Sequence, residues 1–161
     1  ALDLENRDEV IDAYQAIRAN CRRHAPQARV DGVEVSSMVK GGGEFIIGAR
    51  RDSVFGPVVM FGLGGVYVEL LQDVAFRAAP VSRTEILAML KQTRAHRLLA
   101  GFRGEDPLDQ EVVVRTVEQL SALIECSPQI SDIEINPLAV FAEGEGAKAV
   151  DVRILLTHDE G

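Results

Sequence analysis

The sequence has no apolar run of the eighteen or so residues that a helix needs to cross a bilayer. Its opening residues lack the charged-then-apolar pattern of a secretory signal. Cysteine is scarce: Cys21 and Cys126 lie far apart, each inside a helical pattern. Neither has a partner at the short spacing that metal and redox motifs require, so buried thiols of a cytoplasmic protein are expected. Positive charge is in deficit, with 17 Lys and Arg against 25 Asp and Glu and a net charge of −8. That balance excludes a general basic surface for nucleic acid or an anionic membrane, while leaving room for a local positive pocket. Repeats and low-complexity tracts are absent. No Gly-Lys-Ser/Thr follows any glycine cluster, which rules out a Walker-type phosphate loop.

What is present is an ordinary globular composition, 47% hydrophobic and 26% charged over 161 residues, sufficient for one domain-sized core. The organising stretch runs from Ser131 to Leu156. Two arms rich in Ile and Val flank the polar, glycine-containing link Ala142-Glu-Gly-Glu-Gly146, the pattern of a β-hairpin with a longer loop. Alternation puts Asp132, Glu134 and Asn136 on one face, with Asp151 and Arg153 sharing a face of the partner strand. Ile133, Ile135, Val140, Val150, Val152 and Ile154 are then expected on the buried face. A row of oxygen donors on a rigid hairpin has two readings. It is either a solvated face or a site for a hard cation such as magnesium, which borrows one or two protein oxygens.

The remaining elements follow in order. Residues 4–23 carry apolar positions at three- and four-residue steps, with Asn6 or Asp8 able to cap, and predict an amphipathic helix. Arg29 to Val39 and Glu44 to Ala49 predict a hairpin across Lys40-Gly-Gly-Gly43. Val58 to Phe61 reads as a short buried strand. It leads to Gly62-Leu-Gly-Gly65 and then to a further apolar run, Val66 to Leu71. The glycine cluster is either a tight turn or a place where bare backbone amides approach an anion, with Arg50, Arg51 and Arg77 flanking it. Ser82-Arg-Thr-Glu85 is a capping box worth ~1 kcal/mol to the helix it starts. Leu98 to Gly104 is a short segment ending on glycine. Asp109 begins a long helix through Cys126. Antiparallel strands with helices gathered on one side make an α+β domain.

Several of these motifs together resemble one family. Phe55-Gly-Pro-Val-Val-Met-Phe-Gly-Leu-Gly-Gly65, Glu69, Asp73, Arg77, Leu98-Leu-Ala-Gly-Phe-Arg-Gly104 and Glu134-Ile-Asn-Pro-Leu138 resemble the ATP-grasp domain of ADP-forming acyl-CoA synthetases. The same domain occurs in the succinyl-CoA synthetase β subunit and in fused protein acetyltransferases. The resemblance covers about Asp3 to Leu156. It implies the end of a first lobe at residues 1–38 and a second lobe at 39–156, in a fragment of a longer chain.

The resemblance also implies roles. Asn136 and Asp151 match the residues that hold magnesium on the phosphates of ATP or ADP. Glu134, the catalytic candidate, matches an acidic residue near the phosphohistidine that carries phosphate between half-sites. Ser37, Met38 and Val39 match the hinge whose backbone meets the adenine edge, and Glu44 sits near the nucleotide on the next strand. Gly62, Gly64, Gly65, Arg51 and Arg77 are expected around the phosphates. Implied partners are CoA-binding and phosphohistidine-bearing domains of the same protein or another subunit, with a homo-oligomer allowed. The family usually has Gln-Glu where this chain has Ser36-Ser37, so adenine or ribose contacts are expected to be weaker. The implied function is the nucleotide- and magnesium-binding part of an ADP-forming acyl-CoA synthetase. The alternative is a non-catalytic regulatory domain of a fused acetyltransferase.

Overall fold

The computed structural model describes residues 1–65, 73–102 and 104–157. The predicted strand over Val66 to Leu71, and Glu69 with it, lie outside the described residues. Two compact units are present, Ala1–Lys40 and Gly41–Gly161.

The first unit holds one helix, α1 (Arg7–His24). Asn6 caps it by accepting a hydrogen bond from the Glu9 N–H at 3.0 Å. Asp8 and Glu9 occupy the first turn and Arg22, Arg23 and His24 the last, each matched to the helix dipole. Residues 28–40 have no regular secondary structure, so the predicted strand over Arg29 to Val39 does not form. A strand is defined by a ladder, and no described residue pairs with this segment.

The second unit is built on β1 (Gly43–Asp52), which pairs antiparallel with β2 (Gly56–Leu63) on one side and β4 (Ile130–Val140) on the other. β3 (Val74–Ala78) extends the sheet beyond β2. β5 (Ala147–Ala149) and β6 (Val152–Leu156) both lie against β4, each along a different part of it. Among the described residues, three helices complete the unit: α2 (Arg83–Lys91), α3 (Ala95–Leu99) and α4 (Gln110–Cys126). The architecture is α+β, a mainly antiparallel sheet with helices packed on one side.

Alternation along β1 decides which face the helices cover. Phe45, Ile47 and Ala49 point into one core with Val59 and Phe61 of β2 and Val113, Val114, Val117 and Ile124 of α4. The rings of Phe45 and Phe61 stack with centroids 5.6 Å apart. Full burial of each such side chain contributes about 1.5–3 kcal/mol. Glu44, Ile46, Gly48 and Arg50 have the opposite parity and belong to the face without helices.

Local chemistry places α4 against the hairpin. Asp109 accepts from the Val112 N–H as the N-cap and from the Gly146 N–H in the hairpin loop, both at 3.1 Å. At the other end, Arg51 donates to the carbonyls of Ile130 at 3.0 Å, Ser127 at 3.1 Å and Ile124. The Ile124 and Ser127 carbonyls lie at the C-terminus of α4, where helix geometry leaves them without an intrahelical partner, and Ile130 begins β4. The capping box at Ser82 and Glu85 forms as the sequence predicts.

The edge of the hairpin and the cysteines are more exposed than their sequence patterns predict. Val150, Val152 and Ile154 are about half exposed, at 51%, 50% and 50%. Val152 and Ile154 do pair with Ile135 and Ile133, but α4 packs over β1, β2 and β4 and β6 lies beyond it. The cysteines are not buried: Cys126 is exposed at the helix end and Cys21 partly so, because α1 buries no residue.

Candidate functional site

A break in both strands of the hairpin makes the site. On β1, Phe45 to Ile47 is a two-residue step, yet the matching step on β4 from Leu138 to Ile135 takes three. The extra residue is a β-bulge at Asn136-Pro137. It lets Ile133 and Ile135 before it, and Leu138 and Val140 after it, all face the core. The opposing edge is interrupted at the same level, between β5 and β6. There the Asn136 N–H donates to the Asp151 carbonyl at 3.0 Å, and the Val150 N–H to that of Pro137 at 3.0 Å. Asn136 and Asp151 are therefore direct backbone partners.

From β1, Glu44 reaches the same place. Its carbonyl accepts from the Gly64 N–H at 2.9 Å. The Gly65 N–H donates to Asn136 Oδ1 at 3.0 Å. Gly65 has φ +65, in the region that favours glycine, and a Cβ there would stand 2.0 Å from Glu44 Oε2. Glu44, Gly64, Gly65 and Asn136 thus form one cluster, and the Asp151 backbone is hydrogen-bonded to Asn136.

The chemistry of the two side chains, an amide oxygen and a carboxylate, is of the kind a hard cation takes. Asn136 Oδ1 keeps a lone pair after accepting from Gly65, and the Asp151 carboxylate has no hydrogen bond or ion pair among the described residues. One amide oxygen and one carboxylate suffice for magnesium, which completes its shell with water and phosphate. Among the described residues, no group of three or more His, Cys, Asp and Glu could hold a metal without such help.

Glu134 lies on the open face, in a groove of about 500 Å³ floored by Ile46, Met60 and Phe76. Arg153 Nη2 donates to Glu134 Oε2 at 3.2 Å and Asp132 Oδ1 at 3.3 Å. A second hollow, of about 750 Å³, is lined by Glu44, Gly64, Leu98, Leu108, Arg94 and Arg97.

Arg51 and Arg77 are not brought to this cluster. Both have core-facing parity: Arg51 is engaged at the end of α4, and Arg77, paired with Val59, donates to the Phe76 carbonyl. Gly62 faces β3, where an added Cβ would lie 2.4 Å from the Asp73 carbonyl oxygen. Ser37 and Met38 are exposed and Val39 partly buried, in the irregular part of the first unit. Arg153 and Gly48 are the neighbours of Glu134 to which the sequence assigned no role. Their signal is the strand register, which the bulge at Asn136-Pro137 hides from simple counting.

A family model described as an ATP-grasp domain matches residues 1–156. The chain is 38% identical over 156 residues to the β subunit of acetate–CoA ligase [ADP-forming] II of Pyrococcus furiosus, covering 96% of this chain and 66% of that one. It is 42% identical over 147 residues to acetate–CoA ligase [ADP-forming] I of Archaeoglobus fulgidus, covering 91% of this chain and 21% of that one. Among solved structures, it resembles the dinucleotide-forming acetyl-coenzyme A synthetase 1 of Ca. Korarchaeum cryptofilum in complex with coenzyme A and Mg-AMPPCP. There the TM-score is 0.83 and the identity 37%, over 98% of this chain and 67% of that one. The chain thus spans about two thirds of one relative and about a fifth of another. It belongs to the ATP-grasp domain family, in the branch found in ADP-forming acetate–CoA ligases.

Proposed function

We propose that this chain is the nucleotide- and magnesium-binding part of an ADP-forming acyl-CoA synthetase. The reaction joins an acid and CoA at the expense of ATP, releasing ADP and phosphate, with a phosphohistidine carrying the phosphoryl group. The observation that carries this reading is the convergence of Glu44 and Asn136 on Gly65, one backbone hydrogen bond from Asp151. It stands in a chain 37% identical to a synthetase whose structure holds Mg-AMPPCP and a phosphohistidine segment pointing towards the nucleotide site.

Magnesium, when bound, neutralises charge on the phosphates during transfer. Asn136 Oδ1 and the Asp151 carboxylate would hold it, with the Gly65 amide fixing the Asn136 oxygen. Glu44 meets the nucleotide from β1, and the backbone of Ser37, Met38 and Val39 takes the adenine edge. Glu134 receives the phosphohistidine in its groove on the open face. In this reading Arg51 and Arg77 belong to the scaffold. The CoA-binding and histidine-bearing domains come from the same protein or a partner subunit.

The test is to supply those domains and the rest of the ATP-grasp fold, then follow products from ATP, CoA and a carboxylic acid. Acyl-CoA and ADP should appear in equal amounts. Formation of AMP and pyrophosphate, or acyl-CoA formation that persists without nucleotide, would overturn the assignment.

A further inference from the structure

One cross-strand row runs the width of the open face: Arg153 on β6, Glu134 on β4, Gly48 on β1, Met60 on β2 and Phe76 on β3. The adjacent row places Asp132 on β4 opposite Arg50 on β1. Charges therefore alternate in a square, with Arg153 beside Glu134 and Asp132 beside Arg50. Arg50 is itself paired with Asp52 at 3.4 Å. Arg153 makes the only hydrogen bonds to the two carboxylates of the square among the described residues. Gly48 leaves a notch next to Glu134: a Cβ there would sit 3.0 Å from the Ile133 carbonyl oxygen and 3.4 Å from the Met60 methyl.

We propose that Arg153 is the positioning residue for Glu134. Asp132 and Glu134 are two residues apart on one strand face, so two unshielded carboxylates would repel, and Glu134 would turn away into solvent. A single guanidinium nitrogen shared between them offsets that repulsion and holds the Glu134 carboxylate at the β6 side of the groove, across β4 from the notch at Gly48. The same strand edge carries Asp151 two residues earlier, so the metal carboxylate and the clamp are set by one piece of backbone. Exposed ion pairs contribute little to stability, and the Arg153 side chain is 57% exposed. Its role is thus expected in the rate rather than in the fold.

This inference rests on the reading of Glu134 given above, and the experiment separates the two. The rate of histidine phosphorylation by magnesium–ATP is measured in the complete enzyme for wild type, R153M, R153K, E134Q and R153M/E134Q, with melting temperatures alongside. Misaiming a group in the site typically costs about 10- to 100-fold in rate. R153M should therefore lose about that factor with KM for magnesium–ATP and melting temperature unchanged. Both bonds come from one nitrogen, so a lysine ammonium can replace it, and R153K should recover most of the rate. The double variant should be no slower than E134Q alone, because both changes remove one function. R153M at full rate beside a slow E134Q would overturn the inference and leave Glu134 its role. E134Q at full rate would remove the reading of Glu134 and the inference with it. Additive losses, or a fall in melting temperature without rescue by R153K, would make Arg153 a structural residue.

Discussion

Gly64 and Gly65 are neighbours that require glycine for different reasons. At Gly64 an added Cβ would lie 2.4–2.7 Å from backbone atoms of Phe45, the centre of the core strand. At Gly65 the obstacle is the far end of the Glu44 side chain, which can swing aside, plus a φ of +65 that costs a non-glycine residue about 1–2 kcal/mol. Gly64→Ala should therefore destabilise at or beyond the ~1–3 kcal/mol typical of overpacking. Gly65→Ala should cost less stability but displace Glu44 and weaken nucleotide binding. Denaturant melts and a nucleotide titration on both variants check the order. Arg51 is a second residue whose chemistry differs from its motif. Its guanidinium donates to three carbonyls around the end of α4, of which Ser127 also accepts from the Ile130 N–H, so Arg51→Met should cost about 1–3 kcal/mol through the backbone oxygens left unpaired. If instead Arg51→Met melts with wild type and fails only in nucleotide binding, the scaffold role is wrong. Sequence proximity to a glycine cluster suggested a phosphate neighbour. Strand parity, with Ala49 and Ile47 buried on the same side, sends Arg51 to the helices.

At the scale of elements, helices were the most legible part of the chain. α4 begins at the Asp109 cap and ends at Cys126 as its periodicity dictates, because helical spacing and capping are local properties. The capping box of α2 is equally local and yields a pH prediction. The Ser82 hydroxyl and N–H hold the Glu85 carboxyl below its usual 4.5. A lowered folded-state pKa means stability that is present above the unfolded value and lost as pH falls through the folded one. Glu85→Gln should therefore melt below wild type at neutral pH, with the gap closing in the acid range below the usual value. Strands were less legible. Arg29 to Val39 has strand-like alternation but no ladder partner among the described residues. The apolar edge at β6 was placed in the core, although α4 stops short of it. The consequence is measurable: Ile133→Ala should cost about 2–5 kcal/mol as a buried truncation. Ile154→Ala, half exposed on the edge, should cost well under half of that, and equal losses in chemical denaturation would contradict the burial assigned to the two strands.

At the scale of the whole molecule, the candidate metal ligands were legible only through a motif. Spacing alone left the oxygen row of the hairpin open between solvent and a cation. The structure adds the paired strand break that makes Asn136 and Asp151 partners, which depends on register across β4 and its edge. An ATP-grasp site closes on nucleotide from two lobes, and binding entropy is recovered only from contacts on both sides. The 161-residue chain by itself should therefore bind magnesium–ATP more weakly than about 1 μM, or −8.2 kcal/mol. The most direct measurement is calorimetric binding of a non-hydrolysable ATP analogue to the completed ATP-grasp domain, with and without magnesium, for wild type and Asp151→Ala. Wild type should bind more tightly with magnesium, and Asp151→Ala should lose that increment while keeping the magnesium-free affinity. An Asp151→Ala protein whose magnesium-dependent affinity equals wild type would contradict the account and leave the hairpin's polar row a solvated face.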